Sequence, residues 1–151
     1  MVPVTRLSMG PGIFFDPVKP RFDLDATAGV IGLLEGGVIV GGELGYTFDT
    51  RYLNAFNLTG AIGFGSPLFG ATYRPRFLVG RREDGDTFAH TSLGMRNSLM
   101  LHFFADVFSF ELGHQFMTNG AGGLEHNIHV GFGFNPASAI YLIAALDRAL
   151  R

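Results

Sequence analysis

Residues 37–66 read GVIVGGELGYTFDTRYLNAFNLTGAIGFGS, and their alternation decides the fold. Before a turn at Asp49–Leu53, apolar or glycine residues occupy every second position, with small or charged residues between them. The same alternation resumes from Phe56 to Phe64. A period of two belongs to a β-strand and cannot be satisfied by an α-helix. Each half exceeds the usual five or six residues of a globular strand and matches the roughly 9–11 that cross a membrane. The stretch therefore predicts a membrane-spanning β-hairpin.

The composition fits a single β-domain with an apolar exterior. The 151 residues include 22 glycines and 16 phenylalanines but no cysteine, and 16% are charged. Such strands suit a narrow barrel with a crowded interior. The lack of cysteine excludes disulfides, and a net charge of −2 argues against nucleic-acid binding. The N-terminus lacks the apolar core of a signal peptide, so if the protein is exported, we expect this sequence to be its mature form behind an added Met.

Six further segments alternate in the same way, which predicts eight strands in all. These segments are Val4–Phe15, Arg21–Leu34, Leu68–Gly80, Thr87–Phe103, Val107–Met117 and Leu124–Asn135. Outer-membrane barrels have an even number of strands, with short turns at one end and longer loops at the other. The predicted tight links lie at Gly36, Pro67, Asp106 and Pro136. The predicted longer links are Asp16–Pro20, Asp49–Asn54, Arg81–Asp86 and Thr118–Gly123.

On these features, residues 4–135 resemble the small eight-stranded outer-membrane β-barrels. The last strand ends Gly131-Phe132-Gly133-Phe134, similar to the terminal aromatic pattern that the assembly machinery reads in that superfamily. The resemblance implies an all-β, eight-stranded antiparallel up-and-down transmembrane β-barrel in a bacterial outer membrane. It also implies contact with membrane lipid or lipopolysaccharide.

A tail of residues 136–151 follows the last predicted strand. Ser138 is a candidate N-cap, and the segment after it is rich in alanine and leucine, which predicts a helix. Its apolar run is too short to span a bilayer. We expect the helix to lie at the inner surface or to dock on a partner protein, with a ninth strand as the alternative.

The direction of the apolar rows separates a membrane barrel from a soluble lipocalin-like barrel. The opposite rows are rich in glycine and serine, which favours a tight interior, and aromatic residues gather at both ends of the strands. Two such girdles are typical of bilayer interfaces. At the long-loop end they are Tyr46, Phe48, Tyr52, Phe56 and Phe77. At the short-turn end they are Phe64, Phe69, Phe103, Phe108, Phe132 and Phe134.

Charged residues on the inward rows form the candidate site. They are Asp23, Asp25, Glu43, Arg74, Arg76, Arg96 and Glu111. An eight-stranded barrel has room only for side chains, and buried charges must pair. We interpret the seven as a salt-bridged plug that closes the lumen, in which Glu43 and Glu111 pair with nearby arginines. A proton or ion path is the alternative interpretation.

Two prolines conflict with continuous strands, because proline cannot donate to the hydrogen-bond ladder. Pro75 falls in mid-strand, which predicts a bulge or a shifted register there. Pro11 lies between two glycines near a strand end, where we expect it to be tolerated more easily.

The histidines offer limited chemistry. His90, His102 and His129 lie on inward rows but are spread along the barrel axis, so we predict neither a metal site nor a cofactor. His114 and His126 lie on outward rows near the outer interface.

The segment His114–Gly120 resembles the lipid A deacylases of outer membranes. The resemblance would make His114 the base and Asn119 the oxyanion helper, but Phe116 stands where that family has its nucleophilic serine. Thr118 lies at the wrong spacing to replace it. We therefore predict a non-enzymatic barrel with a structural, adhesive or assembly-partner role. A lipid hydrolase and a soluble ligand-binding barrel are the alternatives.

Overall fold

Eight antiparallel strands form one closed barrel in chain order, with β1 pairing with β8 to complete it. The computed structural model describes residues 1–15, 18–50, 53–66, 68–82, 90–118 and 122–150. The strands are β1 Val2–Phe15, β2 Val18–Leu33, β3 Val38–Asp49, β4 Leu53–Gly65, β5 Phe69–Arg82, β6 His90–Phe103, β7 Phe108–Thr118 and β8 Leu124–Phe134. A helix, α1, runs over Pro136–Leu150. The all-β class and the strand count are confirmed, and the tail is a helix rather than a ninth strand.

The register places the predicted apolar rows on the outside of the barrel. In β3, for example, Leu44 is 67% exposed whereas its neighbour Glu43 is 2% exposed. Their partners in β4, Leu58 and Thr59, show the same division. A slip of one residue would exchange the two faces of a strand.

The strands extend further than predicted at the loop end, which is the end where β1 meets β2 and β3 meets β4. β2 already begins at Val18 and β4 at Leu53. The predicted loops Asp16–Pro20 and Asp49–Asn54 were therefore too long, because their outer residues continue the ladder. The opposite end of the barrel, named the turn end, carries the 3-10 turn Glu35–Gly37 and the β6–β7 link.

Both prolines interrupt the ladder without changing the register. β4 and β5 pair at Thr59–Arg76 and again at Ile62–Tyr73, with the two intervening positions on each strand unpaired. Pro75 lies in this gap, while its pairing with β6 continues. The prediction of a bulge or a shifted register at Pro75 was wrong, because the missing amide proton removes only the local bonds on one side.

Pro11 produces the same gap between β1 and β8, where pairing stops at Met9 and resumes at Gly12. β1 ends at Phe15 as predicted, so Pro11 keeps its expected distance from the strand end. Gly10 is the other β1 residue in this gap. It lets the backbones of β1 and β8 approach closely, because a Cβ there would collide with the backbone of Val130 and Gly131.

The β6–β7 turn has an unusual backbone. Phe104, Ala105 and Asp106 all have positive φ angles, of 54°, 56° and 66°. The left-handed region costs an L-residue roughly 1–2 kcal/mol. A run of three such residues therefore needs contacts that hold it in place.

α1 is capped by Asn135 rather than by the predicted Ser138. The Asn135 Oδ1 accepts a hydrogen bond from the Ser138 backbone N–H at 3.2 Å, which is the N-cap geometry. Pro136 then occupies the first helical position, where its missing N–H has no cost. No described helix is long and apolar enough to cross a membrane.

Candidate functional site

The centre of the lumen is a cluster of arginines and aspartates that joins opposite walls. Arg96 on β6 donates to Asp23 and Asp25 on β2, both at 2.8 Å. Arg76 on β5 also reaches Asp25, at 2.6 Å. In an eight-stranded barrel β2 and β6 face each other, so these ion pairs cross the full width of the lumen.

A second cluster surrounds Glu43 on β3. Its Oε1 accepts from Arg6 at 2.8 Å and lies 2.7 Å from Arg74. Its Oε2 accepts from the Thr27 hydroxyl at 2.5 Å. Glu43 is therefore shared between two arginines from β1 and β5, and the walls on either side of β3 are held together through it.

All seven charged residues predicted for the interior lie in the lumen and are at most 2% exposed. Glu43 does pair with Arg74, and Glu111 lies nearest to Arg76, with 3.8 Å between Oε2 and the guanidinium. The carboxylate partners of Arg96 in the described chain are the aspartates Asp23 and Asp25.

The network contains several further residues that were not among the seven predicted interior charges. Arg21 bonds Asp23 at 2.6 Å and Asp49 at 2.9 Å, and His129 lies 2.9 Å from Asp23. Gln115 accepts from Arg96 at 2.8 Å. Each of these lies on an inward row with the same period of two, so that period was the signal that could have found them.

Glycine on the inward rows provides the space for these long side chains. A Cβ at Gly12 would lie 2.7 Å from the Arg21 Nε, and one at Gly131 would lie 2.6 Å from the His129 Nε2. Contacts this short do not occur, so the arginine and histidine positions depend on these two glycines. Arg74, Arg76 and Arg96 are the largest of the fully buried side chains in the described chain.

A hydrogen-bond chain at the turn end of the lumen includes Asp106 from the strained turn and is joined to the Glu43 cluster through Arg6. Asp106 accepts from His102 and, at 2.5 Å, from Arg6. It also accepts from the Asn135 amide at 3.0 Å. His102 continues the chain through its Nε2, which lies 2.6 Å from the Thr72 Oγ1. Asp106 thus links the lumen to the cap of α1.

The electrostatics of Asp106 favour its charged form. Burial alone would raise the pKa of its carboxyl, but the hydrogen bond from His102 and the positive charge of Arg6 outweigh burial and lower the pKa below its ordinary value. The carboxylate therefore stays ionised while it holds the turn and the helix cap.

Two of the inward histidines, His102 and His129, lie apart. His102 and His129 belong to the two different clusters described above, and the side chain of His90 lies outside the described residues. Within the described ranges, no three or more histidine, cysteine or acidic side chains form a group that could hold a metal ion.

The segment that resembles lipid A deacylases lies on the outer surface. His114 stacks on His126, with 3.3 Å between their ring nitrogens. The hydroxyl of Thr118 is bonded to the Leu93 backbone N–H rather than to His114. Asn119 lies outside the described residues. The described residues thus give His114 a second imidazole as its neighbour instead of a nucleophile.

The outer surface is apolar around the barrel, with aromatic rings near both ends. Leu44, Ile62 and Leu99 are exposed in its middle. Asn97 is a polar exception, and its side chain accepts from the Tyr73 hydroxyl at 2.6 Å. At the loop end Tyr46, Phe48, Phe56 and Phe77 of the predicted girdle are exposed, together with Phe22. At the turn end Phe64, Phe69, Phe108, Phe132 and Phe134 of the predicted girdle are exposed, Phe103 is half-buried, and Phe104 is also exposed.

Rings of the two predicted girdles pair across neighbouring strands. Tyr46 and Phe56 meet edge to face with centroids 5.4 Å apart at the loop end. Phe108 and Phe134 lie 5.8 Å apart at the turn end. Tyr52, the remaining residue of the predicted loop-end girdle, lies outside the described residues.

These features define a closed, eight-stranded up-and-down barrel with a charged interior and an apolar exterior. No protein-family model matches the chain, and no curated protein matches it with significant similarity. Two solved structures are similar in fold. One is a de novo designed transmembrane β-barrel, at 11% identity and a TM-score of 0.48, over 87% of this chain and 94% of the other.

The second is the N-terminal β-barrel domain of Pseudomonas aeruginosa OprF, at 16% identity and a TM-score of 0.49. The match covers 88% of this chain and 96% of that domain. Both likenesses concern the fold alone.

Proposed function

We propose that this chain is a non-enzymatic barrel of a bacterial outer membrane, closed to ions, with a structural, adhesive or assembly-partner role. The observation that carries the proposal is the inversion of polarity across the barrel wall. Charged side chains fill the inside, and apolar side chains cover the outside. A bilayer solvates such an exterior, and the closed sheet leaves no backbone group unpaired at an edge.

The same inversion argues against a soluble ligand-binding barrel. A lipocalin-type barrel holds its ligand in an interior wide enough for one small molecule. Here the lumen centre is filled by Arg74, Arg76 and Arg96 together with their carboxylates. In water, an apolar belt around the whole barrel would greatly exceed the few hundred Å² of contiguous apolar patch that soluble monomers expose.

The ion pairs support a closed lumen. Conduction through a pore requires sites that ions can enter and leave. In this barrel Arg96 and Arg76 join facing walls through Asp25, and none of the three is more than 1% exposed. A path for ions would have to break these pairs, each of which lies where an unpaired charge is very costly.

Lipid is the expected partner of the belt, with lipopolysaccharide at the loop end and the inner leaflet at the turn end. α1 offers a second contact, because Ile140, Ile143 and Leu146 are exposed along it. These side chains suit either the inner surface of the membrane or a protein partner. An anchoring role needs only this surface and a stable wall.

The test combines membrane location with conductance. In a Gram-negative host, we expect the chain with an added export signal to fractionate with the outer membrane and to shift its gel migration on heating. In planar bilayers it should show no steady conductance. Recovery as a water-soluble monomer, or stable single-channel currents, would overturn the proposal. Release of acyl chains from purified lipid A would instead establish the hydrolase alternative.

A further inference from the structure

An apolar cavity of about 690 Å³ lies between α1 and the turn end of the barrel. Tyr141, Leu142 and Ala145 line it from the helix, and Val4 and Ile39 line it from the lumen wall. Its volume falls within the roughly 300–1,000 Å³ that is usual for small-molecule sites. Its described lining is mostly apolar and does not include Arg74, Arg76 or Arg96.

The titratable side chains of His102 and Asp106 at the edge of this cavity are already partnered. His102 and Asp106 are among its lining residues, and both belong to the chain that joins Thr72, Arg6 and Asn135. A charged ligand group entering here would have to displace one of these bonds. The cavity therefore suits an apolar chain rather than a carboxylate or phosphate.

The position of the cavity opening indicates the source of such a chain. Phe69 lines the cavity and is also 50% exposed as part of the turn-end aromatic girdle, so the cavity and the outer apolar belt meet at this ring. α1 extends the apolar surface over its other side, since Ile140 and Ile143 are 68% and 67% exposed. Exposed apolar side chains of this kind on a helix require an apolar environment.

From this continuity we infer that the cavity binds one acyl chain of a membrane phospholipid, which enters from the inner leaflet beside Phe69 and lies beneath α1. The head group stays outside, at the level of the turn end. Filling the space restores the dispersion contacts that apolar walls lose around a void. The inference rests on the membrane location proposed above.

The experiment uses the full chain in nanodiscs that contain phosphatidylethanolamine with a diazirine at the end of one acyl chain. After irradiation, mass spectrometry of the peptides locates the adducts. We expect adducts on Val4 or Ile39, which are buried on the lumen wall, in addition to adducts on belt residues such as Leu44. Lumen-facing residues can be labelled only by a chain that has entered the cavity.

Ala145→Trp fills the cavity from the helix. The matched control is Ala144→Trp, because Ala144 is the adjacent residue of α1 and does not line the cavity. We expect Ala145→Trp to reduce the cavity adducts at least tenfold and Ala144→Trp to leave them unchanged. Belt adducts should persist in both and show that the barrel is folded and embedded.

Belt adducts without cavity adducts in the wild-type protein would overturn this inference and leave the membrane proposal intact. Absence of belt adducts would refute both. Cavity adducts that survive Ala145→Trp would assign the label to another place and would also overturn it.

Discussion

Glu43 is a shared residue of the lumen network, because one carboxylate serves two arginines and a threonine, as Asp25 also does. Its two arginines differ in what else they touch. Arg6 also pairs with Asp106, whereas the remaining bond of Arg74 in the described chain goes to the sulfur of Met100 at 3.2 Å. Loss of the Glu43 charge would therefore leave Arg74 the less compensated of the two.

We expect Glu43→Gln to lower the free energy of unfolding by about 3–5 kcal/mol, the cost of an uncompensated buried charge. Urea unfolding of the barrel in lipid vesicles measures it. The control is Glu35→Gln, which makes the same chemical change at an exposed position in the 3-10 turn and should stay within about 0.5 kcal/mol. Equal losses from the two substitutions would contradict the shared role of Glu43.

Asp106→Asn tests the carboxylate that holds the strained turn. The folded pKa of Asp106 is lowered, so its charge contributes stability above the unfolded pKa of about 3.9 and loses that contribution as pH falls towards the folded value. We expect the variant to be less stable at neutral pH by roughly 1.5–3 kcal/mol, the range for hydrogen bonds to charged groups. The difference between the two proteins should shrink below about pH 4. A difference that stays constant from about pH 7 to about pH 2 would count against this role.

At the scale of elements, the prolines show how a closed barrel tolerates a missing donor. The ring of Pro75 faces Gly60 across the gap, where a Cβ would lie 3.6 Å from the proline Cγ. The gap stays local because pairing resumes in the same register on both sides. The strand thus loses bonds to β4 without moving its inward row.

Pro75→Val should close this gap, because valine restores the backbone N–H that the β4–β5 ladder lacks at residue 75. We expect a gain of about 0.5–1.5 kcal/mol in the free energy of unfolding and slow hydrogen exchange at the new amide. Ala71→Val is the control, since Ala71 shares the strand and the outward row but has partners on both sides. Fast exchange at residue 75 would show that the gap has another cause.

The link between α1 and the barrel depends on Asn135, which bonds Asp106 and caps the helix. Asn135→Ala removes both bonds and should cost the helix about 1 kcal/mol, as loss of an N-cap usually does. Asn135→Ser keeps a capping oxygen and should retain most of that stability. Proteolysis or hydrogen exchange confined to α1 measures the effect. Equal protection of α1 in both variants would contradict the capping role.

For the whole molecule, depth in the bilayer should govern the cost of a charge on the outer surface. Leu44→Arg places an arginine in the middle of the belt and should cost about 2–4 kcal/mol in vesicles. Asn54→Arg places one on the same face near the loop end, where the cost should be about 0–1 kcal/mol. Similar costs at both positions, measured by urea unfolding, would argue that the belt is not in lipid.

Some features of the whole molecule could be predicted from the sequence, and others could not. The period of two predicted the strand count and the inward placement of Glu43 and Arg96, because each strand has only two faces. It did not predict that Arg96 would reach Asp23, because the two residues are 73 positions apart in the sequence and their pairing depends on the relative stagger of β2 and β6. The left-handed turn at Asp106 and the cap at Asn135 were missed for a related reason. Both depend on contacts that form only when the turn end closes.

The ion pairs between opposite walls also constrain how the barrel assembles. Arg96 and Asp23 come from β6 and β2, so they meet only when the sheet has curled round. A half-inserted intermediate would carry these charges unpaired in an apolar medium, at a cost of several kcal/mol each. Such intermediates are therefore sparsely populated. Strand insertion and barrel closure should consequently occur as one concerted step, with single-exponential kinetics in vesicle folding.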